Sequence, residues 1–247
     1  MSGPLLITGF HRSGTSAVAR SFHSAGVNLG TNLLGAEPAN PYGHFEDVDA
    51  IEVHDTRLAA EGLSWKSTVS VRDRTAIAPS LRRYVETRDG AEPWGVKDPR
   101  ICLFLPEWID VVPDAEIIFV IRPPGPSIAS LHRRHARRHV DSEGLDPSDL
   151  AFWRDPDLGL KLWCHYHEQA LPTLQTHEQR IVLDYSQTDE TDLGLHAAIA
   201  RRGLDPARSH PFDRSLGKVR TIAVHDRSLI DRAQTIWTSL TAIGTAA

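Results

Sequence analysis

Cysteine is nearly absent from this 247-residue sequence: Cys102 and Cys164 are the only two. They are too few and too far apart for a disulfide framework or a cysteine-bound metal cluster. Missing too is any apolar run near the ~18 residues of a membrane-spanning helix. The first residues carry no basic stretch followed by an apolar core and a cleavage site, and the apolar run 5–7 is too short to be one. Positive charge is not in excess either. The 27 Lys and Arg face 32 Asp and Glu, a net charge of −5, which excludes a general nucleic-acid binder but leaves room for a local basic patch holding one small polyanion. No internal repeat or low-complexity tract interrupts the chain. These absences predict a protein of the reducing cytoplasm, with no metal and with neither membrane nor nucleic acid as a partner.

What is present is an alternation of short apolar runs and long amphipathic segments. With 40% hydrophobic residues, a chain of this length buries roughly three quarters of its unfolded surface, and one domain over 1–247 is expected. Residues 4–9 read as a buried strand, and 15–25 as a helix with Ala17, Val18 and Phe22 inward and Gly26 as its stop. Residues 27–47 are rich in Gly and Pro. Helical patterns follow at 48–61 and 74–89, a second strand at 94–97, and the clearest strand at 116–122 (EIIFVIR). Helices are expected at about 126–139, 157–177, 189–202 and 224–243, and a last strand at 180–185 (RIVLDY). The polar stretch 140–157 reads as a surface loop or lid. Strands spaced by helices imply right-handed crossovers, hence an α/β fold, P-loop-like and three-layered, with a central parallel sheet flanked by helices. Ligands of such sheets bind outside the carboxyl ends of the strands, which places 9–15, 97–100 and 122–130 along one rim.

The chemistry on that rim begins with LLITGFHRSGTSAVARSF, residues 5–22. A glycine-containing turn between strand and helix aims backbone N–H groups at one point, where the helix N-terminus adds about half a positive charge. Thr15 and Ser16 offer hydroxyls, and Arg12 can clamp an anion with two N–H groups. Gly9 and Gly14 keep the spacing of the nucleotide-triphosphate loop G-x-x-x-x-G-K-[ST], yet Thr15 stands where its lysine belongs. Arg122 follows the central strand, and Ser130 falls about one turn into the next helix. Each group alone also fits an ordinary strand–turn–helix. Together they describe a ligand with two separate phosphates.

FHRSGTS after the first strand, IRPPGPSIASL after the central one, GVKDPR between them and NPYGHFED upstream resemble the PAPS-dependent sulfotransferases. The likeness is to the bacterial branch, with some similarity to tyrosylprotein and carbohydrate sulfotransferases, and it runs from about residue 5 to 205. It implies that residues 10–16, with His11, Arg12, Ser13, Gly14, Thr15 and Ser16, bind the 5′-phosphosulfate of PAPS, and that Arg122 and Ser130 hold its 3′-phosphate. Without a magnesium-bound triphosphate to grip, the loop lysine is dispensable. Arg12 falls where the cytosolic members carry Lys; it stabilises charge but cannot give up a proton at working pH. FDRSLGKVR (212–220) is the candidate for the loop that closes over the cofactor in that family, with Arg214, Lys218 and Arg220.

Sulfuryl transfer needs a base at the attacking hydroxyl and donors at the leaving oxygen. The resemblance points to Glu46 as base, with His44, Asp47, Glu37, His54 and Asp55 as alternatives, or Glu46 is a helix-start carboxylate. Arg12 and Thr15 fit the leaving oxygen. Lys97 either helps there or orients Glu46, and Arg100 reads as structural or cofactor-adjacent. HRRHARRH (132–139) reads as a solvated basic face adding positive field to the phosphate site. Trp163, Tyr166 and Leu162 read as core or pocket wall, and Trp65, Trp94 and Trp153 as core. The acceptor, a small molecule or carbohydrate, is expected to meet 27–66 and 140–160; with Trp65, Tyr42 and Phe45 but few cations, the former leans toward a small molecule. Two other functions share the architecture. One is a kinase or NTPase, for which Asp184 is the best magnesium-binding candidate; the other is a non-catalytic nucleotide-binding protein.

Overall fold

The computed structural model describes residues 3–37, 40–88, 90, 93–141, 150–188, 193–209, 224 and 226–245. Among them, four parallel strands form one sheet: β1 (Leu5–Thr8), β2 (Gly95–Lys97), β3 (Glu116–Ile121) and β4 (Arg180–Asp184), in the order β2-β1-β3-β4. Leu5 lies opposite Gly95 on one side and Glu116 on the other, and Ile117 opposite Arg180.

The strands are short runs without polar alternation because helices cover both faces. Side chains still alternate between the layers, as the period of 2 requires. Leu5, Ile7, Ile118 and Val120 join Val18 and Phe22 of α1 (Thr15–Ala25) and Ile199 of α8 (Leu193–Arg201). Leu6, Ile117, Phe119 and Ile121 point the other way, into a larger core. There they meet Trp163 and Tyr166 of α7 (Leu158–Thr176), Trp108 of α4 (Leu105–Val111) and Leu240 of α9 (Arg227–Thr245). Each such side chain, fully removed from water, contributes roughly 1.5–3 kcal/mol, so the sheet is the stable platform on which the loops at its carboxyl edge rest.

The three-layer α/β architecture is as the sequence predicts, with local differences. Helix α2 (Val48–Ala59) stops short of Glu61. The pattern at 74–89 resolves into a 3-10 turn, Arg74–Ile77, and α3 (Ala78–Glu86), whose Pro79 sits in the first turn, where a missing N–H is harmless. For the same reason α5 (Pro124–Asp141) starts two residues early, which puts Ser130 nearly two turns in rather than one. The 3-10 turn Pro99–Phe104 and α4 were not expected, being nearly all apolar and thus without helical periodicity. Of the expected surface loop or lid 140–157, residues 142–149 lie outside the described residues, and the rest includes the end of α5 and the short α6 (Ala151–Arg154). Trp94 is buried, but Trp153 is 67% exposed and is not core. Among the described residues, no helix is long and apolar enough to cross a membrane.

Candidate functional site

A cleft of about 320 Å³ opens at the carboxyl edge of the sheet. Its floor begins with the turn between β1 and α1. Gly9 and Gly14 both have left-handed backbones, with φ of 147° and 99°. A Cβ on Gly9 would lie 2.1 Å from the carbonyl oxygen of Val120, and one on Gly14 would lie 2.4 Å from the Tyr185 ring, so glycine is required twice. Gly14 caps α1 without any side-chain hydrogen bond. Ala17 donates to the Gly14 carbonyl at 3.0 Å, so it is the N–H groups of Thr15 and Ser16 that have no partner within the helix, and Gly14, Thr15 and Ser16 line the cleft.

Arg12 adopts φ 66°, a left-handed conformation that costs a non-glycine residue roughly 1–2 kcal/mol. Its Nε donates to Ser130 Oγ at 3.0 Å, while Arg122 donates from a terminal nitrogen to the Arg12 carbonyl at 3.2 Å. Arg122 in turn lies over the Tyr185 ring, 5.8 Å from its centroid. Desolvation, with repulsion from Arg134, Arg122 and Arg133, pulls the Arg12 pKa down to about 10. It remains protonated at pH 7, in a positive potential that an anion would relieve.

Across the cleft, Lys97 at the end of β2 is 1% exposed. Its Nζ donates to Glu46 Oε1 at 2.6 Å, the His44 carbonyl at 3.1 Å and Ser16 Oγ at 3.2 Å. Phe45, the only other non-glycine residue with positive φ among the described residues (56°), lies between His44 and Glu46 and turns the loop here. Glu46 Oε2 has no partner among the described residues and opens to the cleft. The His44 imidazole lies with Nδ1 3.9 Å from Glu46 and Nε2, fully buried, 3.6 Å from Glu37. Burial, outweighing Glu46, lowers the His44 pKa.

Among solved structures similar to the chain are three bacterial sulfotransferases. Sulfotransferase STF9 from Mycobacterium avium matches with a TM-score of 0.58 at 14% identity, covering 98% of this chain and 76% of that one. Sulfotransferase STF1 from Mycobacterium tuberculosis matches at 0.54 and 18%, covering 98% and 77%. A sulfotransferase from Alicyclobacillus acidocaldarius matches at 0.52 and 14%, covering 100% and 96%. The chain has the sulfotransferase fold. No family model matches the sequence, and neither does any curated protein.

On this sulfotransferase fold, the expected residues divide. Arg12, Gly14, Thr15, Ser16, Glu46, Lys97, Arg122 and Ser130 share the cleft wall. Ser13 is fully buried, does not reach that wall, and its Oγ has no hydrogen-bond partner among the described residues. His11 lines the cleft, but its ring rests 4.5 Å from Trp65 and its Nε2 lies 3.3 Å from the Tyr166 hydroxyl; burial and Arg100 push its pKa well down. Arg214, Lys218 and Arg220 lie outside the described residues.

Of the alternative bases, Asp47 is the N-cap of α2 and accepts from Tyr84 at 3.0 Å. His54 accepts from the Trp108 indole N–H at 2.9 Å, which leaves its Nδ1 to donate to Asp98 at 3.0 Å. Arg100 donates to Asp98 at 3.1 Å and to Asp55 at 2.7 Å. Burial works to raise the Asp98 pKa, but Arg100 and His54 prevail and hold it well below the usual carboxylate range. This network braces β2 directly beyond Lys97, and Arg100 is not among the residues that line the cleft.

Sequence reasoning missed three residues of the cleft. Asn40 donates to Ser16 Oγ at 3.1 Å, and Arg20 lies 4.0 Å over the Tyr42 ring. Tyr185 was findable: it follows β4 at the sheet's carboxyl edge, the position rule that singled out Arg122 after β3. The basic face of α5 is more than a remote field, because Arg133, Arg134 and Arg137 line the cleft, while His135 stacks between Trp65 and Phe152.

Proposed function

We propose that the protein is a cytoplasmic sulfotransferase that moves the sulfuryl group of PAPS to a hydroxyl or amine of a small-molecule or carbohydrate acceptor. The observation that carries this reading is the meeting, in one cleft, of an uncapped helix N-terminus beside Arg12 with the Lys97-held carboxylate of Glu46. The first is an anion cradle, and the second is a base held at a fixed distance from it.

The donor set fits PAPS. The N–H groups of Gly14, Thr15 and Ser16 with Arg12 would hold the phosphosulfate, and Arg122 and Ser130 the 3′-phosphate. When bound, PAPS supplies an activated sulfuryl group on a phosphate leaving group. Lys97 fixes Glu46 through Oε1, leaving Oε2 to take the proton of the acceptor hydroxyl. His44 is the weaker base candidate, since its Nε2 is buried and faces Glu37. Arg12 and the α1 N-terminus stabilise the negative charge that grows on the leaving oxygen. The segment 27–66 contributes Asn40, Tyr42, His44 and Glu46 to the cleft and so forms part of the acceptor side.

A magnesium-dependent kinase fits less well, because the carboxylates at the strand ends are engaged: Asp98 by Arg100 and His54, and Asp184 by the backbone and hydroxyl of Ser186. Thermal-shift titration separates the readings. Adenosine 3′,5′-bisphosphate at a hundred times its dissociation constant adds ~2.7 kcal/mol, a Tm rise on the order of 5–10 °C at this size. That shift is expected without metal. A shift with ATP and magnesium alone would overturn the proposal. Transfer from labelled PAPS should then fall about 100-fold or more in Glu46→Gln.

A further inference from the structure

The positive charge of the cleft extends beyond the Arg12 end. Six arginines and Lys97 line it, with Glu46, Glu37 and Asp141 paired to Lys97, Arg134 and Arg137. Three of these arginines lie on α5, where Ser130, Arg133, Arg134 and Arg137 follow one face of the helix. Ser130 meets Arg12, whereas Arg134, one turn further on, meets the other wall. Its terminal nitrogen donates to Glu37 Oε2 at 2.9 Å, and the same oxygen lies 3.6 Å from His44 Nε2. The imidazole of His44 joins this point to the catalytic side, with Nδ1 3.9 Å from Glu46.

Two buried groups at this point lack hydrogen-bond partners among the described residues: Arg134 Nε and His44 Nε2. A guanidinium presents Nε and a terminal nitrogen as a fork that matches both oxygens of a carboxylate or phosphate. Glu37 uses one prong only, and its side chain is 38% exposed. An unpaired buried donor is costly, and a second oxyanion would satisfy both at once. Resting on the sulfotransferase reading, we infer that the acceptor is itself anionic. It is a compact hydroxy acid whose carboxylate, phosphate or sulfate displaces Glu37, takes the Nε and terminal N–H of Arg134 and accepts from His44 Nε2. Its hydroxyl then lies about one aromatic ring's width away, toward Glu46. The cations that select it come from α5 and not from 27–66, which is why that segment looked poor in them.

The test uses the full chain saturated with adenosine 3′,5′-bisphosphate, and 4-hydroxybenzoate against its neutral methyl ester. The wild type is expected to bind the acid at least about tenfold more tightly, the scale of a charge-assisted bidentate contact. Arg134→Gln should erase that preference while keeping its bisphosphate thermal shift. Glu37→Gln, at an exposed side chain where folding is not at risk, should tighten the acid a few-fold by freeing the fork. Equal affinities for acid and ester in the wild type, or a preference that survives Arg134→Gln, overturns the inference. So does loss of the bisphosphate shift in Arg134→Gln, which would assign the arginine to the donor site. Failure of the bisphosphate to shift the wild type would instead refute the sulfotransferase reading itself.

Discussion

Replacing Lys97 with methionine removes the charge that holds Glu46 while keeping most of the apolar stem. Lys97 is 1% exposed and Glu46 7%, and the pair is joined at 2.6 Å, with further bonds from Lys97 to the His44 carbonyl and Ser16 Oγ. Breaking a buried pair by removing one partner costs about 3–5 kcal/mol because the other charge stays behind. Glu46 borders the cleft, where water partly compensates, so the lower end, about 3 kcal/mol, is expected, or a Tm fall of about 6–12 °C. The double variant Lys97→Met/Glu46→Gln leaves no orphaned charge and should lose only about 1–2 kcal/mol. Urea denaturation of wild type, both single variants and the double variant closes the cycle, with the double variant expected to lose less than the sum of the two singles. Transfer activity should be lost in both single variants and should not return in the double, since stability and catalysis draw on the pair differently. A Lys97→Met variant within 1 kcal/mol of wild type, or one that transfers sulfate at the normal rate, would refute the assignment of Lys97 as the residue that positions Glu46.

Two other outcomes follow from the geometry. Gly14→Ala sets a Cβ 2.4 Å from the Tyr185 ring at a φ of 99°; it should lose about 2–4 kcal/mol and the bisphosphate thermal shift, and full affinity in a bisphosphate titration would contradict the cradle. Asp98→Asn should lower the Tm at pH 7 by about 6–20 °C. Because Arg100 and His54 hold the Asp98 pKa down, its contribution is complete above the unfolded value near pH 3.9 and is lost as pH falls through the folded one. The gap between wild type and variant should therefore narrow below about pH 4, and a gap constant from pH 7 to pH 3 in thermal melts would contradict the network.

Much of the site was legible because it rests on local rules. A glycine turn between an apolar run and a helix can be seen along the chain, and so can an arginine closing a buried strand. Hence the boundaries of α1 and the placement of Arg12, Thr15, Ser16 and Arg122 on one rim followed from residues 5–22 and 116–130. Where apolar residues ran without period, as at 99–111, the helix they form was invisible. The left-handed backbones of Arg12 and Phe45 were hidden too, since neither residue type announces that conformation.

The sequence by itself determined the parallel sheet, the glycine turn between β1 and α1, and the list of candidate bases. Each depends on neighbours within a few residues, where sterics and period act. Tertiary structure decided which of those candidates face the cleft, namely Glu46 and His44. Asp47, His54 and Asp55 stood in the sequence as alternatives to Glu46, which the resemblance put first, and Tyr84, Trp108 and Arg100 engage them in the fold. It also decided that Arg134 of α5 meets a loop residue 97 positions earlier, Glu37. Such pairings are set by how helices pack on a sheet, and charge acts across space regardless of distance along the chain.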